Sequence, residues 1–234
     1  MLLSTAYFPP LSWFALALCH SRRDRESPVL IEAHENYQKQ SYRNRCYILG
    51  AEGPEMLQVP IVHGREAEPL SSASLRDPVR ANAPERGSAS LPITAVKVDY
   101  STPWILRTER ALATAYESSA FFEYYADELF ALLESRPQTL WELNLGLVQW
   151  CFQKMHLGCS LKPTSTFCMP ETVADDYRYS IHPKKADTVL EDLGLKKPYY
   201  QVFRDRLGGF TPGLCILDLL FNEGPDSIEW LIRL

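Results

Sequence analysis

The sequence predicts an α/β fold with a mixed sheet, a β-hairpin and a central helical segment. Three observations carry that reading: a strand, helix, strand opening; two β-rich runs joined by a glycine turn; and a long stretch of helical period in the middle of the chain. At the start, Leu2 to Phe8 is a short apolar run that stops at Pro9-Pro10. LSWFALAL then supplies helix formers behind a proline start, and Pro28 introduces the β-rich VLIEAH. The charged SRRDRES between them reads as a solvated loop. From Tyr42 to Val62, YRNRCYIL and EMLQVPIV flank GAEGP, whose glycines and proline provide turn conformations.

Gly64 to Pro92 is rich in Ser, Ala, Pro, Arg and Glu without a sustained period. It reads as a long surface loop or partly disordered insertion. ITAVKVDY resumes a strand, and Ser101-Thr102-Pro103 offers a cap with proline at the first helical position. TERALATAY, FFEYYADELFALLES and TLWELNLGLVQWCF then repeat apolar residues at three- and four-residue spacing. Thr139 and Glu142 form a capping box, and Pro137 divides the last two helices. Phe121, Phe122, Tyr124 and Tyr125 fit a packing stripe better than a ligand platform. Near the end, TSTFCM and KPYYQVF look like strands, GFTPGLCILDLLFNEGP like a buried helix begun near Pro212, and Asp226 with Glu229 cap a last short helix.

The chain has 234 residues, enough to bury one large core, so a single domain spanning 1–234 is expected. Its composition, 46% hydrophobic and 23% charged, is that of a globular protein rather than a disordered or fibrous one. A net charge of −5 argues against nonspecific nucleic-acid binding, although a local basic patch remains compatible with it. The 6 cysteines lack a regular framework and read as reduced thiols. Cys151, His156, Cys159 and Cys168 lack metal-site spacing, so no metal is expected. In the first 20 residues the uninterrupted apolar piece, Leu11 to Cys19, is too short to span a bilayer and no basic segment precedes it. The expectation is a cytoplasmic protein without a membrane span.

The chemistry concentrates in HENYQKQSYRNRCYIL, residues 34–49. Read as an extended strand, it places Lys39, Arg43 and Arg45 on one face, a poor core face and a good anion-binding one. Guanidinium groups grip phosphate or carboxylate with two donors, while Tyr37, Gln40, Tyr42 and Asn44 can read hydroxyls or a base edge. The same residues also fit a solvated, ion-paired hairpin face. His34 and Glu35 are adjacent candidates for a general base, though neighbours on a strand face opposite ways. Asp175, Asp176 and Arg178, followed by His182 and Lys184, form a second polar block in which Asp176 could bind a metal or a sugar hydroxyl and Lys184 a phosphate, with Arg178 among the substrate-binding candidates; an exposed turn with ordinary ion pairs fits the same residues. No GxGxxG, GxxxxGK[ST], HExxH or GxSxG motif is present, and no cofactor is implied.

Five blocks in order carry a family resemblance: YFPP at 7–10, IEAHENYQKQSYRNRCYI at 31–48, FFEYYADEL at 121–129, DYRYSIHPK at 176–184, and YYQVF with GFTPGLCILDLLFNEGP at 199–225. Together they resemble the WbqC-like protein family, in the branch common among Bacteroidetes, over nearly the whole chain, with 65–91 standing as an insertion. The resemblance implies a place in surface-polysaccharide (O-antigen) biosynthesis and a transferase-like activity on a nucleotide-linked or other phosphate-bearing sugar, such as acyl or glycyl transfer to an amino sugar. A noncatalytic binding or scaffold protein of that pathway is the alternative. Other branches carry His-Gln-Pro where this chain has Ser4-Thr5-Ala6, and a His where it has Thr108, so a mechanism relying on either His does not carry over.

Overall fold

The computed structural model describes residues 1–24, 26–62, 91–195 and 198–232. The insertion expected at 65–91 therefore lies, except for Leu91, outside the described residues.

Three short strands, β1 (Leu2–Leu3), β2 (Val29–Ile31) and β5 (Leu161–Pro163), form a parallel sheet in the order β1-β2-β5, with Leu2 opposite Leu30 and Leu30 opposite Lys162. On the free side of β1, residues 175–177 run parallel to it: Leu2 N–H donates to the Asp175 carbonyl at 2.9 Å and Tyr177 N–H to the Leu2 carbonyl at 3.0 Å. The chain thus leaves β1 toward one neighbour and returns on the other side. That arrangement is a topological switch point, where open parallel sheets form a crevice beyond the carboxyl ends of their strands. A separate antiparallel hairpin, β3 (Arg45–Gly50) with β4 (Gly53–Gln58), pairs Gly50 with Gly53 across Ala51-Glu52. Gly53 has φ 122°, which explains the glycine after the turn.

Helix α1 (Leu11–Arg23) connects β1 to β2 and is buried on every side from Leu11 to Leu18, as an all-apolar helix must be. It runs to Arg23, so SRR of the expected loop forms the basic last turn, where cations suit the helix dipole. Helices α2 (Trp104–Tyr116), α3 (Phe122–Glu134) and α4 (Leu140–Lys154) fill the central segment, and α4 carries the capping box: Glu142 N–H donates to Thr139 Oγ1 and Thr139 N–H to Glu142 Oε2, each at 3.1 Å. Phe121 stacks on Tyr125 and Phe122 meets Phe221 edge-on at 5.1 Å, while Tyr124 faces solvent. Short α5 (Val189–Asp192), α6 (Ile216–Glu223) and α7 (Ser227–Ile232) complete the fold.

Several expected elements do not form as read. ITAVKVDY makes a single 3₁₀ turn at Ile93–Ala95 and isolated bridges of Val98 to Ile61 and Lys97 to Thr139. TSTFCM leaves the sheet after Pro163, because Thr164 and Cys168 turn toward the Glu32 carboxylate. KPYYQVF is not a strand either: Tyr199 Oη donates to Asp218 Oδ2 at 2.6 Å and Gln201 Nε2 to the same oxygen at 2.8 Å, so side chains and not a ladder fix it. Asp218, fully buried on α6, also accepts from Tyr116 Oη at 3.0 Å. Burial raises its pKa, and the three donors only partly offset this. Helix α6 begins at Ile216, later than Pro212, and Pro103 is the residue flanking α2, without a side-chain cap. All six cysteines are free thiols. Among the described residues no helix is long and apolar enough to cross a membrane, and no three His, Cys, Asp or Glu residues group as metal ligands.

Gly224 ends α6 at φ 57°, and a Cβ there would sit 2.5 Å from the Phe121 ring. Gly224→Ala is expected to lose about 2 kcal/mol or more of stability, from left-handed strain plus a displaced ring, measured as a shift in urea midpoint at unchanged slope.

Candidate anion-binding site

The carboxyl ends of the parallel segments deliver Ser4 after β1, Glu32 after β2, Thr164 after β5 and Arg178 after 175–177. Glu32 and Arg178 are fully or almost fully buried and pair through Arg178 Nη1 and Glu32 Oε2 at 2.9 Å. Both carboxylate oxygens of Glu32 are used: Oε1 accepts from Thr164 Oγ1 at 2.8 Å and His34 N–H at 2.9 Å, and Oε2 also takes Cys168 N–H at 3.0 Å. Arg178 further forks onto Asp176, Nη2 to Oδ2 at 2.6 Å, and donates to the Cys168 carbonyl. Its guanidinium lies 5.2 Å from the Phe167 ring and 5.6 Å from the Tyr179 ring. Burial would raise the pKa of Asp176, but the Arg178 hydrogen bonds and charge outweigh it and hold the carboxyl below its ordinary value.

A second buried pair lies beside the first. Glu35, 2% exposed, takes a two-point contact from Arg43, Nε to Oε1 at 2.9 Å and Nη2 to Oε2 at 2.5 Å. Ser4 Oγ accepts from Arg43 Nη2 at 2.9 Å and donates to Glu35 Oε2 at 3.2 Å, so the end of β1 is tied into the pair. Residues Leu3 to Ala6, Pro10, Trp13, Tyr42, Arg43 and Tyr177 to Arg178 line a narrow crevice at the switch point.

The stretch 34–44 is not the strand that its sequence suggested. Only Arg45 lies in β3; Gln40 adopts φ 58° and Ser41 Oγ donates to the Gln38 carbonyl at 2.7 Å, which folds 38–44 into turns. Lys39, Arg43 and Arg45 consequently diverge: Lys39 is exposed, Arg43 buried and Arg45 half-buried. Asn44 is buried, its amide donating to the Val59 carbonyl at 2.9 Å, and Asn144 Nδ2 holds the Arg43 carbonyl at 2.8 Å. Tyr42 is half-buried; burial raises its pKa and the nearby Asp187 charge adds to this. His34 is exposed, with Nε2 3.2 Å from the Thr164 carbonyl. Because that carbonyl can only accept, Nε2 is the donor in this contact, and in the neutral ring Nδ1 is then the acceptor.

A cationic cluster overlies these pairs. Arg45 Nε is buried with no hydrogen-bond partner, and its guanidinium makes no ion pair, among the described residues. Lys184 Nζ donates to Gln40 Oε1, joining the 38–44 turns to the segment after Arg178. His182 sits between them. Burial, and then the charges of Lys185, Arg43, Lys184 and Arg45, push its pKa down, and its Nδ1 accepts from Lys184 N–H at 3.1 Å. On the other flank, burial raises the Tyr37 pKa while Arg45 and Arg43 pull it back. Arg45, Lys184 and Lys185 thus lie around His182, with Arg43 already paired to Glu35, an arrangement able to hold an anion. A roomier cleft of about 640 Å³, between α4 and β5, contains none of the sequence-predicted site residues.

The structure brings Glu35 and Arg43 of the first predicted block together with Asp176, Arg178 and Lys184 of the second; sequence reasoning kept the two blocks apart and missed Ser4, Glu32, Thr164 and the role of His182. Glu32 had a signal, a lone carboxylate at the end of the apolar VLI; Thr164 had none. In comparisons with known proteins, residues 5–83 and 71–230 match the model of the WbqC-like protein family. No curated protein and no solved structure matches the chain.

Arg43→Ala leaves Glu35 buried without its counter-charge, so a loss of about 3–5 kcal/mol is expected, in place of the small change a solvent-facing arginine would give. Chemical denaturation of the single variant and of Arg43→Met with Glu35→Leu, in which both charges are gone, checks this: the double variant recovers most of the loss. The depressed Asp176 pKa means that its pairing is in force above the ordinary carboxylate range and vanishes as pH falls through the folded value. Asp176→Asn should therefore flatten the acid limb of the stability curve, measured by melting between pH 2 and 5.

Proposed function

Because the chain belongs to the WbqC-like protein family, we propose that it is a cytoplasmic, transferase-like enzyme of surface-polysaccharide biosynthesis acting on a phosphate-bearing sugar. The observation that carries this reading is the meeting of the 38–45 turns with the segment after Arg178, where Lys184 Nζ donates to Gln40 and Arg45 Nε is buried without a partner among the described residues, with Lys185 and His182 close by, on a chain of net charge −5. Phosphate contacts fall to Arg45 and Lys184, with Tyr37, Gln40 and Tyr42 supplying hydroxyl and amide groups to the sugar. Arg43, Arg178 and Asn44 act from beneath: the two arginines, already paired, fix the walls, and Asn44 anchors the hairpin that presents Arg45.

Of the three catalytic candidates, Glu35 and Asp176 are engaged as counter-ions, which makes them poor proton acceptors and good positioners. His34 is the base in this reading. With Thr164 fixing the tautomer of the neutral ring, its Nδ1 takes a proton from an acceptor amine as that nitrogen forms the amide bond and the bond from the acyl carbon to the donor's leaving group breaks, the leaving group departing with the electron pair. The engagement of both carboxylates also favours a second reading, a noncatalytic binding protein of the same pathway.

Calorimetric titration with a panel of nucleotide sugars and sugar phosphates, at two salt concentrations, tests the proposal. Arg45→Ala and Lys184→Ala should each weaken binding about tenfold, with little change in melting temperature, and Arg45→Lys should restore only part of the loss. Equal affinity in all variants would remove the anion site. Binding that survives while His34→Ala leaves turnover of the bound substrate unchanged would remove the assigned base.

A further inference from the structure

Another cavity has Asp187 in its wall. It has a volume of about 450 Å³ and is lined by Leu11, Leu190, Leu195, Tyr199, Phe210 and Trp230, with Glu191 also in its wall. Its size falls within the roughly 300–1,000 Å³ of small-molecule sites, and its walls have their character: mainly apolar and aromatic, with a few polar groups. Tyr199 meets Phe210 edge-on at 5.1 Å and Trp230 edge-on at 5.3 Å, so three rings converge from a loop and from α7.

The cavity neighbours the cationic cluster through the chain. Pro10 lines the crevice and Leu11 the cavity; Tyr42 lines the crevice and feels the charge of Asp187 in the cavity wall. Lys184 and Asp187 are three residues apart, a chain reach of no more than about 11 Å. That span lies within the length of one extended nucleotide-sized ligand.

We propose that this cavity holds the nucleoside of a nucleoside diphosphate or nucleotide-linked sugar whose phosphates lie on Arg45 and Lys184; the inference rests on the anion-binding reading above. A flat base has the apolar faces that Phe210, Trp230 and the leucines can cover, and base-to-aromatic contact tolerates any base. Asp187 accepts Val189 N–H through Oδ1 at 3.1 Å and retains Oδ2 for ribose hydroxyls, the use that nucleotide-binding α/β proteins make of an acidic residue. A carboxylate there would repel a phosphate and suits a neutral polyol, which assigns the two ends of the ligand opposite places.

The test is titration of the protein with inorganic pyrophosphate and with ADP, GDP, CDP and UDP, followed by calorimetry and by tryptophan fluorescence, since Trp230 lines the cavity. At least one diphosphate should bind about tenfold or more tighter than pyrophosphate and alter the fluorescence, which pyrophosphate should not. Phe210→Ala should reduce that nucleotide to the pyrophosphate level without changing pyrophosphate binding, whereas Arg45→Ala should weaken both. If Phe210→Ala fails to fold, Leu190→Trp, which fills the cavity, should give the same pattern. Nucleotides that bind no tighter than pyrophosphate would overturn the nucleoside site and leave the anion reading standing. Failure of pyrophosphate and every nucleotide to bind would overturn the anion reading itself.

Discussion

The Arg178–Glu32 pair is the constraint around which this molecule is organised. Glu32 follows the last residue of β2, Arg178 follows the segment on the opposite side of β1, and both side chains are removed from solvent. A buried charge is tolerated only when its remaining hydrogen-bonding capacity is met, so Thr164, Cys168, His34 and Asp176 are all drawn in. Strands of two and three residues make few ladder bonds of their own. The ionic network beyond their ends holds together what the ladder alone holds weakly.

The Arg43–Glu35 pair extends the same logic to the surface. By tying Ser4 at the end of β1 to the turns that lead into β3, it joins the parallel sheet to the hairpin. Arg45 is presented from the first residue of that hairpin and Lys184 from the stretch after Arg178. Two members of the cationic cluster, Arg45 and Lys184, thus stand beside the two buried pairs, and the inner arginines contribute to the electrostatic field without being free to grip a ligand.

Much of the helical architecture was legible in the sequence, because a 3.6-residue period over thirteen to fifteen residues and a Thr139/Glu142 capping box are local signals. The strands were less so. KPYYQVF has strand composition, yet Tyr199 and Gln201 reach for Asp218, a preference written nineteen and seventeen residues away. The candidate site was half legible. Charged residues in HENYQKQSYRNR announced the neighbourhood, but alternation was the wrong template once Gln40 turned the chain. Which arginine is buried and which is available depends on carboxylates, and the partner of Arg178 lies 146 residues away at Glu32.

That separation has a kinetic consequence. β1 cannot complete its hydrogen bonds until residues 175–177 arrive, and Glu32 has no counter-charge until Arg178 does. Contacts of such span carry a large loop-closure cost and form late, whereas the helices of the central segment can form from local contacts. During synthesis the first strand therefore waits for most of the chain, with its leucines and a lone carboxylate uncovered. The order of events makes the sheet end, and the candidate site built on it, the last part of the molecule to mature and the first whose assembly a slowed or truncated chain would forfeit.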